Sequence, residues 1–533
     1  MRRFLSPEPD VTITNAFARP FDNAVATART CYSGTGIVSE DKVLPSPPAE
    51  EAVRRRKAEA RDRLAQDLYK AGHHTTLQHA TFQFSLSNVS RHFIWSFLHS
   101  HPFYNSEQVS QRYVAVKEGF YAVPPLEGEA LRVYQETVAA QNRSYRELCE
   151  SLLPPVEGEY FKRFVARGRQ PEPWRKEIQK KAQEIARYVL PVATFAYLYH
   201  TVSGLTLLRY YRTMAQFDTP LEQRLVVERM VQRLLEHDPA YVAILQEPIP
   251  LEETAEFGIV ERFRTSRSSN NGDDAAEFAR EFDAQLGGLT SRLAGWSAGN
   301  EEILAQSVRE VFGLARGRMT DDEAIALALD PAKNSYLGET LNTTTHSKLT
   351  RALFHPHYTF RKKLSHTGDS QNQRHRMTPG SRPILASHFT GEPDFITPPI
   401  VTLDARVHSA YVAAMEKAWD GINRLRTLGT PEEFTLYLLP NAASIRFTES
   451  TDLLNLRHKL AMRLCYNAQE EIWRASLDEA LQIREVNPRI GMYLLPPCTL
   501  RQMSKTTPLC PEGKRYCGER VWTYKLEEYR RLI

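Results

Sequence analysis

No stretch of this 533-residue chain is apolar for the roughly 20 residues that a membrane-spanning helix requires. Charge of one sign is scarce too: 68 Lys+Arg stand against 64 Asp+Glu, a net of +4. That is too mild a balance to expect a nucleic-acid partner, but it suits small anionic ligands held by local arginine clusters. The opening MRRFLSPEPD carries two arginines but no apolar run and no small-residue cleavage site. Neither export nor a membrane is therefore expected, and a cytoplasmic location is. Cysteine is sparse, with six in all and no C-x-x-C pair. Cys31 and Cys149 stand alone, whereas Cys465, Cys498, Cys510 and Cys517 crowd the last seventy residues or so. In a chain without export such a cluster reads as metal ligands before disulfides, here a structural zinc with Cys465 as fourth ligand. The intervals of eleven and six residues are looser than those of strong zinc motifs, and plain reduced thiols are the alternative.

What is present is an ordinary globular composition, 42% apolar and 25% charged, on a chain too long for one core. Residues 16–33 and 50–71 read as helices, and TFQFSLSNVS (81–90) alternates as a half-buried strand with Phe82, Phe84 and Leu86 on one face. A polar, aromatic loop runs from His99 to Tyr113 and leads to FYAVPP. Helical patterns follow at about 129–152 and 173–215, the second interrupted by Leu190-Pro191. Polar, aperiodic RTSRSSNNGDDAA (264–276) is the best linker. The same order then recurs: a helix in GNEEILAQSVREVFGLARG, a strand-like THSKLTRALF (345–354), a polar loop to about 380, FITPP at 395–399, and a helical region after Leu439-Pro440. The recurrence implies an internal duplication. The expected division is residues 1–260, a linker at 261–285, residues 286–490, and a cysteine-containing tail at 491–533.

Several segments carry chemistry. Gly72-His73-His74-Thr75-Thr76-Leu77-Gln78-His79 leads into the first strand. Ser106-Glu107-Gln108-Val109-Ser110-Gln111-Arg112-Tyr113 offers acceptors, a hydroxyl and an arginine in one loop, a set suited to a phosphate. The plainer reading is a surface loop with a salt-bridged arginine.

In order and spacing these segments resemble the flavin-dependent thymidylate synthases. The family signature is Arg-His-Arg, seven residues, then Ser-x-Arg-Tyr. The first half keeps Ser110, Arg112 and Tyr113 but has His99-Ser100-His101 or Ser100-His101-Pro102 where Arg-His-Arg belongs. The second half has Gln371 and then Arg374-His375-Arg376, while its serine-arginine portion has become MTPGSRPILAS. Arg187, four residues before Pro191, matches a nucleotide-binding arginine with no counterpart before Leu439-Pro440. Arg463, followed by Ala468-Gln469, matches the family's late arginine, which the helix SGLTLLRYYRTM lacks. Asp452 and His458 stand where the family has asparagines. Each half thus keeps what the other has lost.

The resemblance implies an α+β protein of two related domains, each a small, mostly antiparallel sheet flanked by long helices, packed as a pseudo-dimer. It implies one composite site per chain, and a homodimer that mimics the family's tetramer. Gln371, Arg374 and Arg463 would face Gln108, Ser110, Arg112 and Arg187 around a nucleotide, with Arg374 and Arg463 polarising the base. His73, Thr75, Arg374, His375, Arg376 and His458 would contact FAD. The implied reaction is reductive methylation of dUMP to dTMP, with methylenetetrahydrofolate as one-carbon donor and NADPH as reductant. Ser110 has no partner histidine or carboxylate in the sequence, so it is read as a nucleotide contact. Two other readings stand beside this one: a flavin-dependent C5 modification of another pyrimidine nucleotide, and a non-catalytic flavin or nucleotide binder.

Overall fold

The computed structural model describes residues 3–99, 103–215, 218–266, 273–339 and 343–533. The first half runs β1 (Asp10–Ala16), α1 (Pro20–Cys31), α2 (Glu51–Lys70), β2 (Thr81–Ser90), α3 (Arg91–His99), β3 (Asn105–Gln108), α4 (Gly128–Ser151), α5 (Leu153–Arg163), α6 (Arg175–Ala186), β4 (Phe195–Ser203), α7 (Gly204–Arg212) and α8 (Pro220–His237). The second half runs α9 (Ala255–Ser266), α10 (Asp273–Leu286), β5 (Ser291–Trp296), α11 (Asn300–Phe312), α12 (Asp321–Leu329), β6 (His357–Ser365), α13 (His366–Asn372), β7 (Gly380–Ser381), α14 (Ala405–Thr427), β8 (Ser444–Asp452), α15 (Leu453–Arg463), α16 (Glu470–Val486) and α17 (Pro497–Met503). Both halves build an antiparallel four-stranded sheet, ordered β1-β2-β4-β3 and β5-β6-β8-β7. The class is α+β with two similar halves. No helix of the described residues is long and apolar enough to cross a membrane.

Strand β2 has the expected bounds, and its alternation buries Phe82, Phe84 and Leu86. At Asn88 the backbone turns to φ 55°, and the β2–β4 register shifts between Leu86 and Val89. That bulge restores the inward set with Val89. The segments after each Leu-Pro correct the sequence reading. They begin as the central strands β4 and β8, and only then become α7 and α15. FAYLYHTVS is rich in aromatic and β-branched residues, which suit a pleated surface. Apolar residues at both parities, among them exposed Tyr197 and Tyr199, hide its period of two. Ser203 and Asp452 then start the helices by accepting from the Thr206 and Asn455 backbone N–H groups.

One further reading is corrected. Residues 343–346 and 350–354 form 3-10 turns, and the second-half strand starts at His357. Within 264–276, residues 264–266 end α9 and 273–276 open α10, so the polar stretch is helical wherever it is described.

Compactness divides the chain into two units. The first holds residues 1–136, 191–271 and 421–438; the second holds 137–190, 272–420 and 439–533. The stretch before each Leu-Pro therefore belongs to the unit built around the other half's sheet.

Candidate active site

Each unit contains the same buried corner. In the first, the Ser90 backbone N–H donates to Glu222 at 2.7 Å and its hydroxyl at 2.6 Å, while the Tyr437 hydroxyl donates to the same carboxylate at 2.6 Å. In the second, Ser365 donates its N–H at 2.5 Å and its hydroxyl at 2.6 Å to Glu471, and Tyr188 donates at 2.5 Å. Both serine hydroxyls also accept a backbone N–H three residues on, from Phe93 and Gly368 at 2.9 Å. At Gly368 an added β-carbon would lie 2.8 Å from the Glu471 carboxylate oxygens. Burial pushes the Glu222 carboxyl up, and the Ser90 and Tyr437 hydrogen bonds partly oppose that. In each corner the tyrosine comes from the half opposite to the serine and glutamate.

On the Ser365–Glu471 corner the predicted polar residues come together. Buried Arg187, one residue before Tyr188, donates from Nη2 to Gln469 Oε1 at 2.8 Å and from Nε to the Glu184 carbonyl at 3.1 Å. Gln371, from α13, also donates to Gln469 Oε1, and Gln469 in turn donates to the Tyr188 hydroxyl at 2.5 Å. Arg463, the last residue of α15, donates from Nη2 to the Gln371 carbonyl at 2.9 Å and from Nε to His375 Nε2 at 2.8 Å. His375 is thus an acceptor at Nε2, which places the proton of its neutral ring on Nδ1. Burial, and then the Arg463 and Lys459 charges, hold it well below an ordinary histidine. The His458 ring lies 5.9 Å from the His375 ring, edge to face. Arg374 is exposed and Arg376 half-buried.

The other candidates lie in the first unit. Gln108 ends β3, and its side-chain carbonyl accepts from Arg91 at 3.3 Å. The Ser110 hydroxyl accepts the Arg112 backbone N–H at 3.2 Å, and the Arg112 guanidinium lies 5.4 Å from the Tyr113 ring centroid. His73 and Thr75 are exposed in the turn before β2. Of the two triplets aligned with Arg-His-Arg, only His99 is described.

Sequence reasoning missed a buried charge cluster next to His375. Lys362 reaches Glu449 and Glu479, each at 2.6 Å; Lys459 contacts the same two carboxylates; Asn372 donates to Glu449 at 2.5 Å; Arg382 pairs with Asp369 at 2.8 Å. Three cations therefore meet three anions. Burial pushes the Glu449 carboxyl up, but Lys362, Lys459 and Arg382 outweigh it and hold it well below the ordinary range. A signal was available: the parity of β6 puts Lys362 inward between Phe360 and Leu364. Gln469 and Tyr188 were missed as well, although Tyr-x-Leu-Pro occurs before both prolines.

The four cysteines expected to bind zinc line one cavity. Among the described residues, no group of three or more His, Cys, Asp or Glu could hold a single metal ion. Burial pushes the Cys498 thiol up to about 11 and the Cys465 thiol to about 12.

Two separate stretches of the chain, residues 12–240 and 293–489, match the family model described as thymidylate synthase complementing protein. The chain belongs to that family. Among its relatives, the flavin-dependent thymidylate synthase of Clostridium tetani is 26% identical over 220 residues, covering 40% of this chain and 74% of that protein. The enzyme of the same name from Saccharolobus solfataricus is 26% identical over 222 residues, covering 40% and 80%. The two matched stretches fall in the two similar α+β halves.

Proposed function

We propose that this chain catalyses the reductive methylation of dUMP to dTMP at a site built from both halves, with FAD bound, NADPH as reductant and methylenetetrahydrofolate as one-carbon donor. One observation carries the reading. Arg187 from the first half and Gln371, Arg463 and Gln469 from the second form one hydrogen-bonded set, and the resemblance gives Arg187, Gln371 and Arg463 to the nucleotide.

The donor set fits that ligand. Two guanidiniums and two carboxamides suit phosphate oxygens and pyrimidine carbonyls, which planar, charge-assisted hydrogen bonds recognise. His375, His458, Arg374 and Arg376 fit the edge of a flavin ring, with His73 and Thr75 as further contacts. When bound, FAD supplies the hydride chemistry. The chain's own part is to bind, orient and polarise. Arg187, 4% exposed, presents its charge where water competes weakly. Arg463 is aimed by two acceptors, Gln371 O and His375 Nε2, so its cation is already oriented when negative charge develops on the ring. Neutral His375 adds no second positive charge there. Gln108, Ser110 and Arg112 complete the phosphate contacts on the strength of the complementary motif losses. A homodimer, with four halves, corresponds to the family's tetramer.

The test is the visible spectrum of the purified protein after FAD and then dUMP, with dTMP formation measured in parallel. A flavin band that dUMP perturbs, and that loses the response in Arg187→Ala and Arg112→Ala, is expected. A folded protein with no flavin band would overturn the proposal. A flavin and dUMP response without dTMP would leave the non-catalytic binder.

A further inference from the structure

The thymidylate reading leaves four thiols unused. Cys465 follows α15 by two residues, Cys498 lies in α17, and Cys510 and Cys517 stand in the tail beyond it. All four line one cavity, and Glu512 and Glu519 also face it. None is in a disulfide, and each is partly buried. The tail is held here by more than the cysteines. Arg163 donates to Glu519 at 2.5 Å and lies 4.9 Å from the Tyr466 ring centroid, and Asn467 donates to the Arg515 carbonyl at 2.5 Å. The cavity wall is therefore a built part of the second unit, continuous with the helix that ends in Arg463.

The geometry separates two kinds of four-thiolate centre. A single zinc ion binds thiolates at about 2.3 Å in a tetrahedron, which brings the sulfurs to about 4 Å from one another. No such grouping occurs among the described residues. A [4Fe–4S] cluster binds each thiolate through a different iron, so its four ligands surround a volume instead of a point. Four separate thiols around one cavity meet that second requirement.

We propose that Cys465, Cys498, Cys510 and Cys517 hold a [4Fe–4S] cluster that fastens the C-terminal tail to the end of α15. Loading replaces four S–H bonds with four Fe–S bonds and releases four protons, with iron and sulfide arriving as an assembled cluster and no electron transferred. The role is structural and independent of the nucleotide chemistry.

The experiment is iron, acid-labile sulfide and zinc analysis of the full-length protein purified without oxygen, with electron paramagnetic resonance after dithionite reduction. About four irons and four sulfides per chain are expected. Cys510→Ala and Cys517→Ala should lose most of both, while Cys31→Ala and Cys149→Ala retain them. One zinc per chain without iron would overturn the cluster in favour of a single-ion site. No bound metal, even after reconstitution with ferrous iron and sulfide, would overturn any metal centre. Full iron in Cys510→Ala and Cys517→Ala would overturn the ligand assignment. The unaltered protein's metal content decides the matter even if a variant fails to fold.

Discussion

The two units solve one packing problem in opposite ways. Three residues before the Ser203 and Asp452 helix caps stand His200 and Glu449; seven residues after them stand Tyr210 and Lys459. Eight residues past Glu222 and Glu471 come Met230 and Glu479. On the neighbouring strand, Leu86 pairs with Leu198 where Lys362 pairs with Phe447. All of these are buried. The first unit fills the space with rings, Phe97 lying 4.9 Å from His200 and 4.7 Å from Tyr210; the second fills it with ion pairs. The fold therefore does not require the ions, in line with the rule that a buried ion network is weak evidence for stability. What the second unit gains is a directional hold on α13, through Asn372 and Asp369. That helix carries Gln371. The same asymmetry marks the polar set: Ser96, Met214, Pro220 and Leu436 occupy the positions of Gln371, Arg463, Gln469 and Arg187.

The largest effect should come from breaking the ionic core on one side only. Glu449→Ala leaves Glu479 as the one carboxylate shared by buried Lys362 and Lys459, removes the acceptor of Asn372, and should cost about 3–5 kcal/mol in denaturant unfolding. The joint change Lys362→Leu, Glu449→His, Lys459→Tyr, Glu479→Met and Asn372→Phe, which installs the first unit's residues, should cost less than that single change. If the joint variant proves the less stable of the two, the units are not interchangeable and the comparison fails. Next in size, Arg187→Leu, the first unit's residue, should weaken dUMP binding by about 2–5 kcal/mol in calorimetry and leave the fold intact. Nucleotide affinity equal to that of the unaltered protein would remove Arg187 from the site.

The matched corners sharpen the comparison from the other side. Ser90→Ala and Ser365→Ala each remove a hydroxyl from a buried carboxylate and a backbone N–H, and each should cost about 1–3 kcal/mol. Thermal unfolding that penalised only one of them would show that the corners differ in role. The smallest effect concerns pH. Burial holds His200 at about 3, so its folded value lies below its unfolded one. Its contribution to stability is full above about 6.5 and is lost as pH falls toward 3, because the unfolded chain takes up the proton. His200→Phe should therefore flatten the loss of stability between pH 6.5 and 5.5 by about 1 kcal/mol. An unchanged slope would mean that His200 already takes up its proton in the folded protein.

Legibility followed the range of the interactions. Strand β2 was readable because one of its faces is buried and the other is not, so its alternation is plain. Central strand β4 was not, because apolar residues on both parities hide its alternation, and β8 was not, because it is mostly polar and buries charged Arg446 and Glu449. Arg187, Gln371 and Arg463 were singled out through motif order, whereas Gln469, Lys362 and Glu449 were overlooked because their partners lie up to 282 residues away.

By itself the sequence determined that the chain has two similar α+β halves, and it supplied the expectation that the recognisable motif is divided between them. Both properties lie in local pattern and order along the chain. Only the tertiary structure decided that Arg187 belongs to the second unit, that an ionic core there replaces an aromatic one, and that four distant cysteines line one cavity. The reason is physical: burial and hydrogen-bond partnership between remote residues arise from packing, and no local period along the chain encodes them.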